Sequence, residues 1–345
     1  MTSANASTFA YVGSSDSQDV TVFNLLADGG LAAVQTVAVP GPATPGGSLP
    51  MAISPDKKWL FVCLRNEPFS LVTFDIDSGS GKLALVGSGP LADSMCYITT
   101  DCGGRFILGA SYGGSKITLN ALKANGVIGD TLQAVATKPS AHCVVIDPSN
   151  KFVFNTSLGG DAVHQHVFDA STGTLSPNNP PTISVAAKGG PRHLAFSPDR
   201  RFVYLLNELD GAIYVFPYDA ATGVLRKEIQ VASALPPGFT GTPWGADIHV
   251  TPNGKFLYAS ERTSSTLAGF AVDTASGALT PIGSWPTERQ PRGFAIDPAG
   301  KFLLAAGQLS DSVTVHAIDQ NSGVLGKLNG YPVGKNPNWI EIVTL

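Results

Sequence analysis

Charge is scarce in this chain: only 14% of its 345 residues are Asp, Glu, Lys or Arg. The 22 basic side chains are outnumbered by 26 acidic ones, and nowhere do they gather into a Lys/Arg run that would track phosphates along a nucleic acid. Nucleic acid is therefore not an expected partner. Nor is a membrane, because no apolar stretch approaches the length of a span, and the opening "MTSANASTFAYVG" has neither the basic start nor the apolar core of a secretory signal. The expectation is a protein that stays in the cytoplasm. The four cysteines, Cys63, Cys96, Cys102 and Cys143, show no C-x-x-C spacing and read as buried reduced thiols, which suits a reducing compartment. Also missing are a G-x-S-x-G elbow, a phosphate-binding loop and a dinucleotide fingerprint, which argues against serine hydrolases and nucleotide enzymes of those kinds. Asp247 and His249 stand two apart on one strand face, as a metal pair would, but no third ligand is evident, so neither metal nor cofactor is expected.

Helix-period stretches are nearly absent as well. What remains is 38 glycines, 25 prolines and 43% hydrophobic residues, arranged as short apolar runs bounded by turn residues. That pattern describes an all-β protein.

The runs repeat. Aligned on a tight turn they read "AISPDKKWLFV" from 52, "YITTDCGGRFIL" from 97, "VVIDPSNKFVF" from 144, "LAFSPDRRFVY" from 194, "IHVTPNGKFLY" from 248 and "FAIDPAGKFLL" from 294. The turn anchors fall at Pro55, Thr100, Pro148, Pro198, Pro252 and Pro298, spaced 45, 48, 50, 54 and 46 residues apart. A second strand pair with a D-x-x-x-G-x-L turn follows each first pair, so each unit holds four antiparallel strands, A to D in chain order. Six units leave two incomplete ends. "PNWIEIVTL" from 337 matches strand A alone, and "FAYVGSS", "DVTVFNL" and "LAAVQTV" from 9, 19 and 31 match strands B, C and D. Joined, they make a seventh unit that closes a ring and removes two open sheet edges. The expected fold is one seven-bladed β-propeller domain over 1–345, with 1–8 as a flexible N-terminus, and as a closed ring it is expected to be a monomer or a weak homo-oligomer. The period and the missing G-H and W-D dipeptides separate it from short solenoids and from the forty-residue propeller repeat.

In an antiparallel blade the start of A, the end of B and the start of C share one rim, and the A–B turn lies at the other. Asp56, Asp199 and Asn253 occupy those A–B turns, where turn geometry explains them. The opposite rim has a different character. His142, Arg192, His193, Trp244, Arg292 and Asn338 precede strands A; Arg65, Tyr112, Glu208, Glu261, Arg262 and Gln308 follow strands B. The ring brings them to one mouth of the central channel, where guanidinium forks suit carboxylate or phosphate oxygens and carboxylates keep the forks oriented. An anionic-ligand site is expected there. His164 and His166, on a strand C, are expected to face outward.

The stretches "GPRHLAFSPDRRFVYLLNEL", "WGADIHVTPNGKFLYASERT" and "TERQPRGFAIDPAGKFLLAAGQ" resemble the seven-bladed propeller lactonases, most closely the propeller-type 6-phosphogluconolactonases of bacteria. The resemblance runs from about position 8 to the end. The fold family is also similar to the fungal 3-carboxy-cis,cis-muconate lactonizing enzyme, in which a histidine, a glutamate and arginines at the channel mouth are implicated. It implies His142, Arg192, Glu208 and Arg262 as catalytic residues, with Glu261 standing where bacterial relatives carry the aspartate of D-R-T. The implied activity is hydrolysis of 6-phospho-D-glucono-1,5-lactone. His142 is then the base for water, Glu208 its orienter or a proton donor to the leaving oxygen, and Arg192 and Arg262 the oxyanion stabilisers. Arg65 and Arg292 are left for the phosphate, with Tyr112, His193, Trp244 and Gln308 as further substrate contacts. The alternatives are a lactonase or lactonizing enzyme for an unphosphorylated sugar lactone or a carboxylated muconolactone, and a noncatalytic binding propeller.

Overall fold

The computed structural model describes residues 6–42, 44 and 46–345. Among them, the only helical element is one 3-10 turn, Leu158–Gly160; nearly everything else regular is strand. The strands form seven antiparallel sheets, six in chain order from residue 51 to 332 (blades 1 to 6), and a closing blade in which Pro337–Thr344 pairs with Thr8–Ser14. Of the N-terminal stretch expected to be flexible, residues 1–5 lie outside those described, while Thr8 already pairs with Leu25 on one side and Thr344 on the other. Blade 4 departs from four uninterrupted strands: its outer strand is split into Val224–Leu225 and Gln230–Ser233.

The core is divided. Seven hydrophobic clusters each fill the gap between two neighbouring sheets, such as Phe9, Tyr11 and Val22 of the closing blade against Leu60, Val62 and Phe74 of blade 1. Each sheet thus buries both faces against its neighbours, which is why the strands are apolar on both sides instead of alternating cleanly. Polar clamps add direction to this packing. The side-chain amide of Gln133 bonds both backbone groups of Leu175 in the next blade, and Gln35–Leu83 and Gln230–Leu279 repeat the arrangement.

The A–B turns are closed by one device in all six complete blades. The residue at the end of strand A, namely Ser54, Asp101, Asp147, Ser197, Thr251 or Asp297, accepts the backbone N–H of the aromatic residue five positions on, at 2.6–3.0 Å. This corrects the alignment of the second blade. Asp101 takes the place of Ser54 and Asp147, so the residue equivalent to the turn proline is Cys102 and not Thr100. The anchors Pro55, Cys102 and Pro148 then lie 47 and 46 residues apart, a more even spacing. Asp56, Asp199 and Asn253 are turn residues that cap their own loops, accepting from Ser54, Ser197 and Thr251 hydroxyls at 2.6–2.7 Å. His166 corrects another expectation: it is buried, with Nε2 2.9 Å from Asn155 Oδ1, and His164 Nε2 lies 3.1 Å from Ser157 Oγ. His166 turns to a partner within its own blade and away from solvent, whereas His164, which also accepts from Lys138 N, stays half-exposed.

Candidate active site

Strand A is the innermost strand of each blade, and at the mouth it does not run regularly. In blades 2, 3, 4 and 6 and in the closing blade the pairing with strand B shifts register around Cys96, His142, Arg192, Arg292 and Asn338. A bulge of this kind leaves one residue out of the ladder and re-aims its side chain. The approach is prepared by the residue two positions earlier. Ser140, Gly190, Gln290 and Asn336 have φ of 62°, 67°, 56° and 55°, a left-handed turn into the strand that recurs from blade to blade. Turn and bulge together bring His142 and Arg292 to the cavity wall, while Arg192 and Asn338 stay buried beside it.

The resulting cavity, about 200 Å³, is lined by Arg65, Cys96, Tyr112, His142, Glu208, Trp244, Arg262 and Arg292. Seven of these were expected from the sequence; Cys96 was not. Its absence follows from the misaligned second blade: anchored on Thr100, the position matching His142 is Ser94, whereas anchoring on Cys102 puts Cys96 over His142. Reading "MCYITTD" against "AHCVVID" would have found it.

Glu208 organises the cationic wall. Its Oε2 accepts from Arg192 Nε at 2.9 Å and from Arg262 Nη2 at 2.7 Å, tying blades 4 and 5 together. Burial alone would raise the Glu208 carboxyl, but the two guanidiniums beside it outweigh that and hold it below the usual carboxylate range. An ionised group with both guanidiniums on one oxygen is not a proton donor, and Glu208 makes no hydrogen bond to His142. Its geometry fits an orienter of arginines. Arg262 is further fixed by the carbonyls of Trp244 and Gly245, at 3.3 and 3.1 Å, and lies over the Trp244 ring with its guanidinium carbon 3.9 Å from the centroid. Glu261 does not reach it: that carboxylate accepts from Trp244 N at 2.7 Å and from Ser264, capping the adjacent turn.

Arg292 donates to Gly47 O at 2.7 Å and Arg65 to Ser48 Oγ at 2.7 Å, so residues 47 and 48 hold both across the cavity from Glu208. Burial, and then repulsion from Arg192, push Arg262 and Arg292 down to about 9. Both keep their charge at neutral pH. The His142 ring forms no hydrogen bond among the described residues, its Nδ1 is buried, and Tyr112 meets the ring edge-on with centroids 6.0 Å apart. Burial first, and the surrounding Arg192, His193, Arg292 and Arg262 next, hold its pKa well below the ordinary histidine value, so the imidazole is neutral.

Three expected residues lie off the cavity wall. Arg192 is only 2% exposed, behind Glu208, because its Nη1 turns inward to the Ala246 carbonyl and to His193. His193 points down the channel and gives Nδ1 to Asp247. Gln308 bridges Gln290 and Asn336 between blade 6 and the closing blade, and those amides occupy the groups it would offer a substrate. Below the mouth a second chamber of about 210 Å³ is lined by Tyr97, His193, Asp247, His249, Phe294, Trp339 and Glu341. No cluster of three or more metal-ligating side chains occurs among the described residues.

A closed ring of seven antiparallel sheets with a cation-rich mouth defines the class, a seven-bladed β-propeller. The family model described as "Lactonase, 7-bladed beta-propeller" matches residues 7–342, and the chain belongs to that family. It is 42% identical over 287 residues to the 6-phosphogluconolactonase of Pectobacterium carotovorum, covering 83% of this chain and 84% of that one. The 6-phosphogluconolactonase of Yersinia pestis (strain Pestoides F) is 41% identical over 288 residues, 83% of each chain. Among solved structures, the periplasmic gluconolactonase of Pseudomonas aeruginosa superposes with a TM-score of 0.89 at 27% identity, over 98% of this chain and 99% of that one.

Proposed function

We propose that this protein hydrolyses 6-phospho-D-glucono-1,5-lactone to 6-phosphogluconate at the channel mouth. The observation that carries the proposal is the charge balance of the cavity. Among the described residues three guanidiniums line it and a fourth lies behind, yet Glu208 is the one carboxylate in its wall, within a protein of net charge −4. Such a site is short of negative charge, and a phosphorylated lactone supplies it.

Water must attack the lactone carbonyl, negative charge must grow on the carbonyl oxygen, and the ring oxygen must leave. Neutral His142 accepts the proton of the attacking water. Its pKa is depressed in part by neighbouring cations, so an anionic substrate in the cavity raises its basicity as it binds. Arg262, held by Glu208 and Trp244, faces the developing oxyanion; one such donor is worth about 3 kcal/mol. Arg65 and Arg292, on the far wall, take the phosphate. Arg192 acts from behind, through Glu208 and through its field. The protonated imidazole returns the proton to the departing ring oxygen, which leaves the base neutral for the next cycle. Action in the cytoplasm belongs to the same reading, supported by four cysteines free of disulfides.

The test generates the lactone enzymatically from glucose 6-phosphate and follows 6-phosphogluconate above the spontaneous rate. Acceleration by wild type, lost in His142→Ala and Arg262→Ala, supports the reading. No acceleration by folded wild type rejects this substrate, and unphosphorylated and carboxylated lactones then follow.

A further inference from the structure

The cationic wall does not stand alone, because a chain of hydrogen bonds runs from it down the channel. Arg192 Nη1 lies 3.1 Å from His193 Nε2, and His193 Nδ1 lies 2.7 Å from Asp247 Oδ1. Arginine only donates, so His193 Nε2 must offer its lone pair and the ring proton must sit on Nδ1, where Asp247 receives it. Burial lowers the His193 pKa to about 4, so the ring is neutral and has one proton to place. The carboxylate that fixes this choice is itself fixed. Asp247 accepts the N–H groups of Ile248 at 3.0 Å and Phe294 at 3.3 Å, and its Oδ2 lies 3.2 Å from His249 Nε2. It therefore joins blade 5 to blades 4 and 6.

We infer that His193, held in one tautomer by Asp247, is a positioning residue for the active site: it aims Arg192, and through Arg192 the Glu208 carboxylate that sets Arg262. With the opposite tautomer an N–H would face the guanidinium, donor against donor, and Arg192 would have to turn off Glu208. The His193 ring also packs against His142, with centroids 5.2 Å apart, so its orientation bears on the base as well as on the cationic wall. Arg192 and His193 are nearly sealed from solvent and neither lines the mouth cavity, which separates this role from substrate binding there.

The inference rests on the proposed activity for its kinetic arm, and a second arm is independent of it. In His193→Gln the side-chain amide still offers an oxygen to Arg192, whereas His193→Phe offers none. We expect His193→Phe to lower kcat about 10- to 100-fold, the range of an outer partner that orients a reacting group, with KM changed by less than about 3-fold. His193→Gln should stay within about 3-fold of wild type. Asp247→Asn should cost about 10-fold or more in wild type but little in the His193→Gln background, because an amide has no tautomer to fix. Equal loss in both His193 variants, no loss in His193→Phe, or the same Asp247→Asn cost in both backgrounds would overturn the inference. For the independent arm, 15N NMR of the histidines in wild type should show His193 neutral with its proton on Nδ1. A proton on Nε2 sinks the assignment whatever the enzyme hydrolyses, and a wild type without lactonase activity but with Nδ1–H sinks only the proposed function.

Discussion

The two rims of this propeller are built from the same strands and use polar residues in opposite ways. At the A–B turn rim the carboxylates mainly cap the turn of their own blade: Asp147 takes the backbone N–H groups of Ser149, Lys151 and Phe152, and Asp297 those of Ala299, Lys301 and Phe302, while a few long side chains such as Asn150 and Arg201 reach a neighbouring blade. At the mouth the bonds run between blades. Glu208 of blade 4 holds Arg262 of blade 5, and Asp247 of blade 5 holds His193 of blade 4. Local closure stabilises a turn and leaves nothing over. Closure across blades leaves cations facing a shared cavity with too few carboxylates, and that excess is what a ligand can use.

Substitutions should separate the two rims. The largest effect is expected for His142→Ala, a fall in kcat of about 100- to 10,000-fold, with a melting temperature close to wild type because no protein hydrogen bond is lost. Glu208→Gln comes next. It removes the carboxylate between two guanidiniums, so both kcat/KM and stability should drop, the latter by about 3 kcal/mol as expected for a broken buried pair; steady-state kinetics and denaturant titration read the two. Arg292→Ala should raise KM about 10- to 100-fold, the loss of a charge-assisted contact, without lowering the melting temperature, since Arg192 and Arg262 lose a repelling neighbour. On the other rim, Asp147→Ala should cost about 1–3 kcal/mol of stability, from the buried Phe152 N–H and the half-buried N–H groups of Ser149 and Lys151 left without their acceptor, and leave kcat/KM unchanged.

A pH titration sharpens the contrast, because buried histidines are common inside the ring. Burial holds His164, His166, His193 and His316 down to about 4, and His142 also lies well below its ordinary value. For a depressed histidine the unfolded chain takes up the proton first. The stabilisation is complete above about 6.5, the unfolded value, and is lost as pH falls toward the folded value. Three groups oppose this. Burial raises Glu341 to about 7 and also raises Asp19, and Asp247 raises His249 against the effect of burial; what they contribute is present at low pH and lost as pH rises through their folded values. With five groups against three, melting temperature should fall between pH 7 and pH 5. Each histidine contributes at most about 1.4 kcal/mol per pH unit. A flat or rising melting temperature over that range would contradict the burial pattern.

How much of this was legible in the sequence varies by rim and by depth. The turn rim was readable because its chemistry is local: S-P-D and D-P spell out a turn within five residues, and the one misplacement came where Asp-Cys replaces Asp-Pro in the second blade. Ring closure was readable too, since the two ends supply complementary strands. At the mouth the identity of the lining was accessible from the rim rule, but the aim of each side chain was not. Arg192 turns inward while Arg292 faces the cavity, although both sit at a bulge and follow a proline in matching "GPRHLAF" and "QPRGFAI" segments. The difference comes from neighbours distant in sequence, Glu208 and Ala246 in one case and Gly47 in the other. The outward orientation expected for His166 failed for a related reason, because in a propeller both faces of a sheet are inner faces.

The central claim is that the mouth is an incompletely neutralised cation cluster fitted to an anionic lactone. The most direct measurement compares kcat/KM of wild type for 6-phospho-D-glucono-1,5-lactone and for the same lactone without its phosphate. Contacts from Arg65 and Arg292 predict a preference of at least about 100-fold for the phosphorylated substrate, carried mainly by KM and shrinking with added salt. Equal values, or a preference for the neutral lactone, would contradict the account.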